Sequence, residues 1–114
     1  MYAQLTYFDG PRTPEKVAAS DFGGRERIQP AVSKLGHHFR VYVLRRDDGS
    51  EIVVSIAESK DALLAAQKAI MSTELLPGED PALLTGPDRI DLYPVVSAVD
   101  ISSAGQTTEL TAIS

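Results

Sequence analysis

Two strand-like runs, 39–44 (Phe-Arg-Val-Tyr-Val-Leu) and 51–57 (Glu-Ile-Val-Val-Ser-Ile-Ala), flank the polar stretch Arg46-Asp-Asp-Gly-Ser50. β-branched and aromatic residues on either side of turn chemistry predict a β-hairpin. Asp48-Gly49 suits a two-residue type I′ loop, in which both central residues take positive φ. That loop puts Val43 opposite Val54, Val41 opposite Ile56 and Arg46 opposite Glu51, so one side of the hairpin is wholly apolar. On the other side Arg40 stands beside Ala57, Tyr42 beside Ser55 and Leu44 beside Val53. Large side chains there neighbour small ones, and the room left is expected to be a pocket or a surface onto which something packs.

Helical spacing takes over at residue 60 and runs to 76, with Ser59 as hydroxyl cap and Asp61 in the first turn. Leu63, Ala66, Ile70 and Thr73 share one stripe, and the alanines Ala62 and Ala69 beside it allow close approach to a sheet. Near the start, Ala3, Leu5 and Tyr7 alternate with Gln4 and Thr6, which predicts a strand over 1–8. Thr13-Pro14-Glu15 opens a helix with a cap, a first-turn proline and an acid at the positive end of the dipole. Gly23-Gly24 costs about 1 kcal/mol per glycine relative to alanine, and Pro30 removes a backbone donor. Two helical pieces, 14–22 and 25–35, are therefore expected, bent against each other and stopped at Gly36. Residues 76–88, rich in Pro and Gly, read as a long loop with one helical turn at 81–84; loops this long in small domains tend to be functional. Residues 89–99 form the last strand, and Pro94 within it marks an edge or a bulge.

The predicted order is β-α-β-β-α-β: an α+β, ferredoxin-like chain with a four-stranded antiparallel sheet and helices on one face. Residues 1–100 make that domain, and 101–114 make a polar C-terminal tail, loose or laid as an arm on a neighbour. Segments 52–57 and 93–99 are apolar on both faces, so the sheet needs a second cover. The simplest cover is another copy of the same sheet, a homodimer pairing as a dimeric α+β barrel.

Composition narrows the function by exclusion. The 114 residues suit one domain with a modest core, and no apolar run approaches the roughly 20 residues of a membrane span. Without a charged-then-apolar N-terminal signal, a cytoplasmic location is the default expectation. A net charge of −5 with scattered basic residues speaks against nucleic acid or an anionic membrane as partner. The absence of cysteine removes disulfides, thiolate catalysis and cysteine-ligated metal. His37 and His38, adjacent on a strand, point to opposite faces and do not readily share one ion, so neither a metal nor a cofactor is expected. Phosphate-binding glycine loops, nucleophile elbows and spaced carboxylate pairs do not occur.

The candidate binding residues are His38, Arg40 and Tyr42 on one face of the second strand, with Tyr7 and Tyr93 from strands expected to be central or near-central. Guanidinium, phenol and imidazole together suit an acidic phenol or enolate. Arg and Tyr are the usual interface residues, so a dimer contact is the favoured reading of Arg40 and Tyr42, and a core position with its hydroxyl satisfied is the favoured reading of each of the other two tyrosines. Glu79-Asp80 in the long loop reads as solvated charge.

The run Arg27-Ile-Gln-Pro-Ala-Val-Ser-Lys-Leu-Gly36, the strand over 39–45 and the stretch Ile56-Ala-Glu-Ser-Lys-Asp-Ala-Leu63 resemble the antibiotic biosynthesis monooxygenase family across about residues 1–99. Residues 70–88 look like those of its small actinobacterial members. The resemblance implies a dimeric α+β barrel with a pocket between helices and sheet for an aromatic polyketide, a quinol or haem. It also implies cofactor-independent oxygenation in some members, with the substrate reducing dioxygen. The chain departs from the family at Ala57, where a Trp often ends the third strand, and at Ala66 or Gln67, where a histidine often stands. It contains no asparagine at all. The expected function is a dimeric barrel that binds an apolar, aromatic small molecule. The alternative is a non-catalytic binding or assembly module of the same fold.

Overall fold

A computed structural model describes residues 1–110. The chain runs through β1 (Tyr2–Phe8), α1 (Pro14–Gly23), a π-helical turn (Gly24–Ile28), α2 (Gln29–Ser33), β2 (Phe39–Arg45) and β3 (Glu51–Ala57). There follow α3 (Lys60–Met71), a 3₁₀ turn (Pro81–Leu83), β4 (Arg89–Pro94), and a separate hairpin of β5 (Val99–Ile101) and β6 (Thr107–Glu109). Strands β1 to β4 form one antiparallel sheet in the order β2-β3-β1-β4. The architecture is α+β, and this strand order is compatible with a ferredoxin-like fold.

The helix starts follow from local chemistry. Thr13 accepts the Lys16 N–H at 3.3 Å ahead of Pro14, and Ser59 accepts the Ala62 N–H at 3.1 Å. The expected break at Gly23-Gly24 is instead a widened turn, in which the Gln29 N–H reaches back five residues to the Gly24 carbonyl. Widening the helix just before Pro30 eases the clash its ring would make with the preceding turn. Gly23 is buried against the long loop: a Cβ there would lie 2.7 Å from Glu79 Oε1. Helix α3 ends at Met71 rather than at residue 76. The Ser72 hydroxyl donates to the Lys68 carbonyl at 2.8 Å, and the Thr73 hydroxyl to Ile70 at 2.7 Å. These bonds satisfy terminal carbonyls that a longer helix would use.

The hairpin differs from its prediction by one residue. Arg46 N–H donates to the Ser50 carbonyl at 2.9 Å and Gly49 N–H to Arg46 at 3.0 Å. Gly49 takes φ +87°, and among the described residues no non-glycine residue has positive φ. The loop is thus Asp47-Asp48-Gly49, a type I turn closed by a left-handed glycine. Arg40 now faces Ile56, Tyr42 faces Val54, Leu44 faces Ile52 and Arg45 faces Glu51. The charged cluster beside the turn favours this register. Glu51 accepts Arg45 Nε at 2.7 Å and lies 3.1 Å from Arg12 Nη2, while Arg45 also pairs with Asp21 of α1. Asp48 takes both the N–H and the hydroxyl of Ser50, bonds that hold its carboxyl below the usual range.

Strand β4 stops at Pro94, on the sheet edge, instead of running to residue 99. Residues 95–98 leave the sheet, so the two-sided apolar character read over 93–99 does not belong to it beyond Tyr93. The tail read as loose contains β6, which pairs with β5 around a turn at Gly105; its residues 111–114 lie outside the described residues.

Partners across an antiparallel ladder share a face, so the register sorts the sheet. One face carries Ala57, packed with Ala62 and Leu63 of α3 and ringed by Tyr2, Phe39 and Leu92. Among the described residues no helix packs on the opposite face.

Candidate functional site

The bare face places most of the predicted residues together. Its centre is apolar: Ala3 beside Ile56, Leu5 beside Val54, Tyr7 beside Ile52. Edge strand β2 adds Arg40, Tyr42 and Leu44, and edge strand β4 adds Tyr93, Asp91 and Arg89. Arg40 Nη1 lies 3.4 Å from the Tyr42 hydroxyl. The Arg89 guanidinium sits 4.0 Å over the Tyr7 ring and bonds Asp91 at 3.2 Å. Hydrogen bonding to Tyr7 and the charge of Asp91 raise the Arg89 pKa above its ordinary value. Tyr93, expected near the centre of the sheet, stands on its edge and is 53% exposed. His38 is exposed ahead of β2, and its neighbour His37 meets the Phe39 ring edge-on at 6.2 Å.

These residues share a surface, not an enclosure. The room predicted beside Arg40, Tyr42 and Leu44 is filled, because their neighbours are Ile56, Val54 and Ile52 rather than Ala57, Ser55 and Val53. A small cleft of about 200 Å³ lies elsewhere, between Phe22 of α1 and Leu83 and Leu84 of the long loop. Glu79 in that loop is not the solvated charge expected: its side chain is 2% exposed and takes Arg27 Nε at 2.9 Å and the Leu76 N–H at 2.7 Å. That pair ties the loop to the π-helical turn. Among the described residues no group of three or more His, Asp or Glu side chains could hold a metal ion.

The helix-facing side of the sheet holds what the sequence reading missed. Gln4 and Thr6 of the central strand point toward the helices, next to Ser55 and Val53. Gln4 Oε1 is buried and has no hydrogen-bond partner, an arrangement that costs about 1–3 kcal/mol. Helix α3 approaches β1 and β3 closely, whereas α1 and α2 pack mainly on the π-helical turn, on α3 and on the 81–83 turn. Val41 and Val43, on the same side of β2, stay 55% and 53% exposed. The helix-facing side is therefore uncovered along β2, while the unmet Gln4 acceptor is buried on β1, on the far side of β3. The alternation Ala3-Gln4-Leu5-Thr6-Tyr7 signalled a two-sided strand, but not which side the helices would take.

No protein-family model matches the chain, and no curated protein matches it.

Proposed function

We propose that this chain is a homodimeric α+β-barrel protein of the antibiotic biosynthesis monooxygenase type, and that its helix–sheet layer binds an apolar, aromatic small molecule bearing a hydroxyl. The observation that carries the reading is the inverted polarity of β1. Its apolar residues Ala3, Leu5 and Tyr7 face outward, and its polar Gln4 and Thr6 face the helices. An outward apolar face calls for a second copy of the sheet. An inward acceptor without a partner calls for a donor, which a phenol or quinol supplies. The ferredoxin-like βαββαβ order and the resemblance read in the sequence support the same placement. The polar side chains of the layer, Gln4, Thr6 and Ser55, are neutral hydrogen-bonding groups. They suit binding and orienting a reduced phenol; any oxygenation would draw its electrons from that substrate.

Thermal unfolding with quinols, anthrones and haem tests this. At least one is expected to raise Tm by mass action, and Gln4→Leu is expected to weaken it up to about tenfold, the worth of one neutral hydrogen bond. Without ligand, Gln4→Leu should raise Tm, since it removes the orphan acceptor. No shift with any compound, together with a Gln4→Leu chain less stable than the parent, contradicts ligand binding in this layer. A second reading, a non-catalytic assembly module, is favoured by the location of Arg40, Tyr42, Tyr7 and Tyr93 on the bare face. It expects an intact dimer and no ligand shift.

A further inference from the structure

We infer that residues 74–87 form a strap against α1, clasped by the Arg27–Glu79 pair and able to open while the sheet stays folded, so that the cleft at Phe22 widens. The strap is anchored at both ends. Thr73, just after α3, accepts Arg27 Nη1 at 2.6 Å, and the Asp88 N–H donates to the Tyr7 carbonyl at 2.8 Å ahead of β4. Between these points the chain is mostly exposed and turns inward only at Leu76, Glu79, Leu83 and Leu84. Leu83 and Leu84 meet α1 across the cleft, beside a Phe22 that is itself 39% exposed. Closure therefore rests on Glu79. Its Oε2 takes Arg27 Nε at 2.9 Å and the Leu76 N–H at 2.7 Å.

Three features make the clasp releasable. Separating the pair returns both charges to water, which offsets much of the attraction lost, so opening costs far less than deleting one partner. Glu79 Oε1 is buried without a hydrogen-bond partner, an unmet acceptor that opening hydrates. Gly78 holds φ +90° one residue before Glu79, where the backbone can pivot.

Gly23 is the seat of the clasp. A Cβ there would stand 2.7 Å from Glu79 Oε1 and 3.2 Å from Arg27 Nη2, so a single methyl group crowds both halves. The backbone of Gly23 is helical, with φ −61°, and glycine in a helix is less favourable than alanine. The missing methyl serves the closure, not the helix.

Amide hydrogen exchange, followed residue by residue by NMR, tests the strap. In the parent chain the Leu76 and Glu79 amides, both bonded within the strap, are expected to exchange together and faster than the amides of β1 and β3. Glu79→Gln keeps the shape but leaves Arg27 facing a neutral group. It is expected to speed those two amides at least about tenfold, the worth of a hydrogen bond to a charge, with β1 and β3 unchanged. Gly23→Ala is the second variant, in case loss of the charge disturbs folding: it favours helix α1 yet should speed the same two amides. Strap amides that exchange in step with those of the sheet mean that the strap opens only when the whole chain unfolds, which overturns the inference. Leu76 and Glu79 amides that neither substitution speeds overturn it too.

Discussion

Glu51 is a buried charge held by two arginines. It lies buried where the turn of β2 and β3 meets the 9–12 loop, held by Arg12 and Arg45. Removing one member of a buried pair leaves the rest uncompensated, so Glu51→Ala is expected to cost about 3–5 kcal/mol, a large part of the stability of a domain this size. Asp21 pairs with the same Arg45 but is 48% exposed, and Asp21→Ala should cost less than about 1 kcal/mol. Urea unfolding of the two variants measures the contrast; equal losses would contradict the burial argument. At this scale the sequence was legible where chemistry is local. The caps at Thr13 and Ser59 and the left-handed stop at Gly36 all follow from residue type. It was silent where a partner lies far along the chain: nothing near Glu79 announces that Arg27 will neutralise it.

The hairpin shows how one local choice sets a whole element. Asp48-Gly49 fits a two-residue and a three-residue loop alike, and the two differ by one step of register. That step decides which residues reach the helices, and so it reversed the side on which Val41 and Val43 were expected relative to Ile56 and Val54. The three-residue loop depends on Gly49, whose φ is positive and whose added Cβ would lie 2.5 Å from the Arg12 carbonyl oxygen. Gly49→Ala is expected to cost at least about 2 kcal/mol, from left-handed strain of about 1–2 kcal/mol plus that contact. Thermal or urea unfolding checks it; a neutral substitution would argue against the observed turn. The four-stranded antiparallel sheet and the starts of the helices at Pro14 and Lys60 were readable because period and punctuation encode them. The end of β4 was not, since Val95 and Val96 continue its apolar pattern after the ladder has ended.

For the molecule as a whole, the question is what covers the sheet. Among the described residues, full burial of apolar side chains is confined to Ala57, Ala62, Leu63 and Ala66, a thin core for a chain of this length. The apolar centre of the sheet, from Ala3 to Ile56 and from Leu5 to Val54, faces away from every helix. That β3 carries apolar residues on both faces was legible in the sequence, from Ile52 to Ala57. The exposure of the helix-facing side along β2 was not, because it depends on where α1 and α2 settle relative to β2. Sedimentation velocity at micromolar concentration tests the account most directly. It predicts one species of twice the 12.3 kDa chain mass, shifting to single chains in a folded Leu5→Asp variant. A parent protein that sediments as a single chain at that concentration would contradict it.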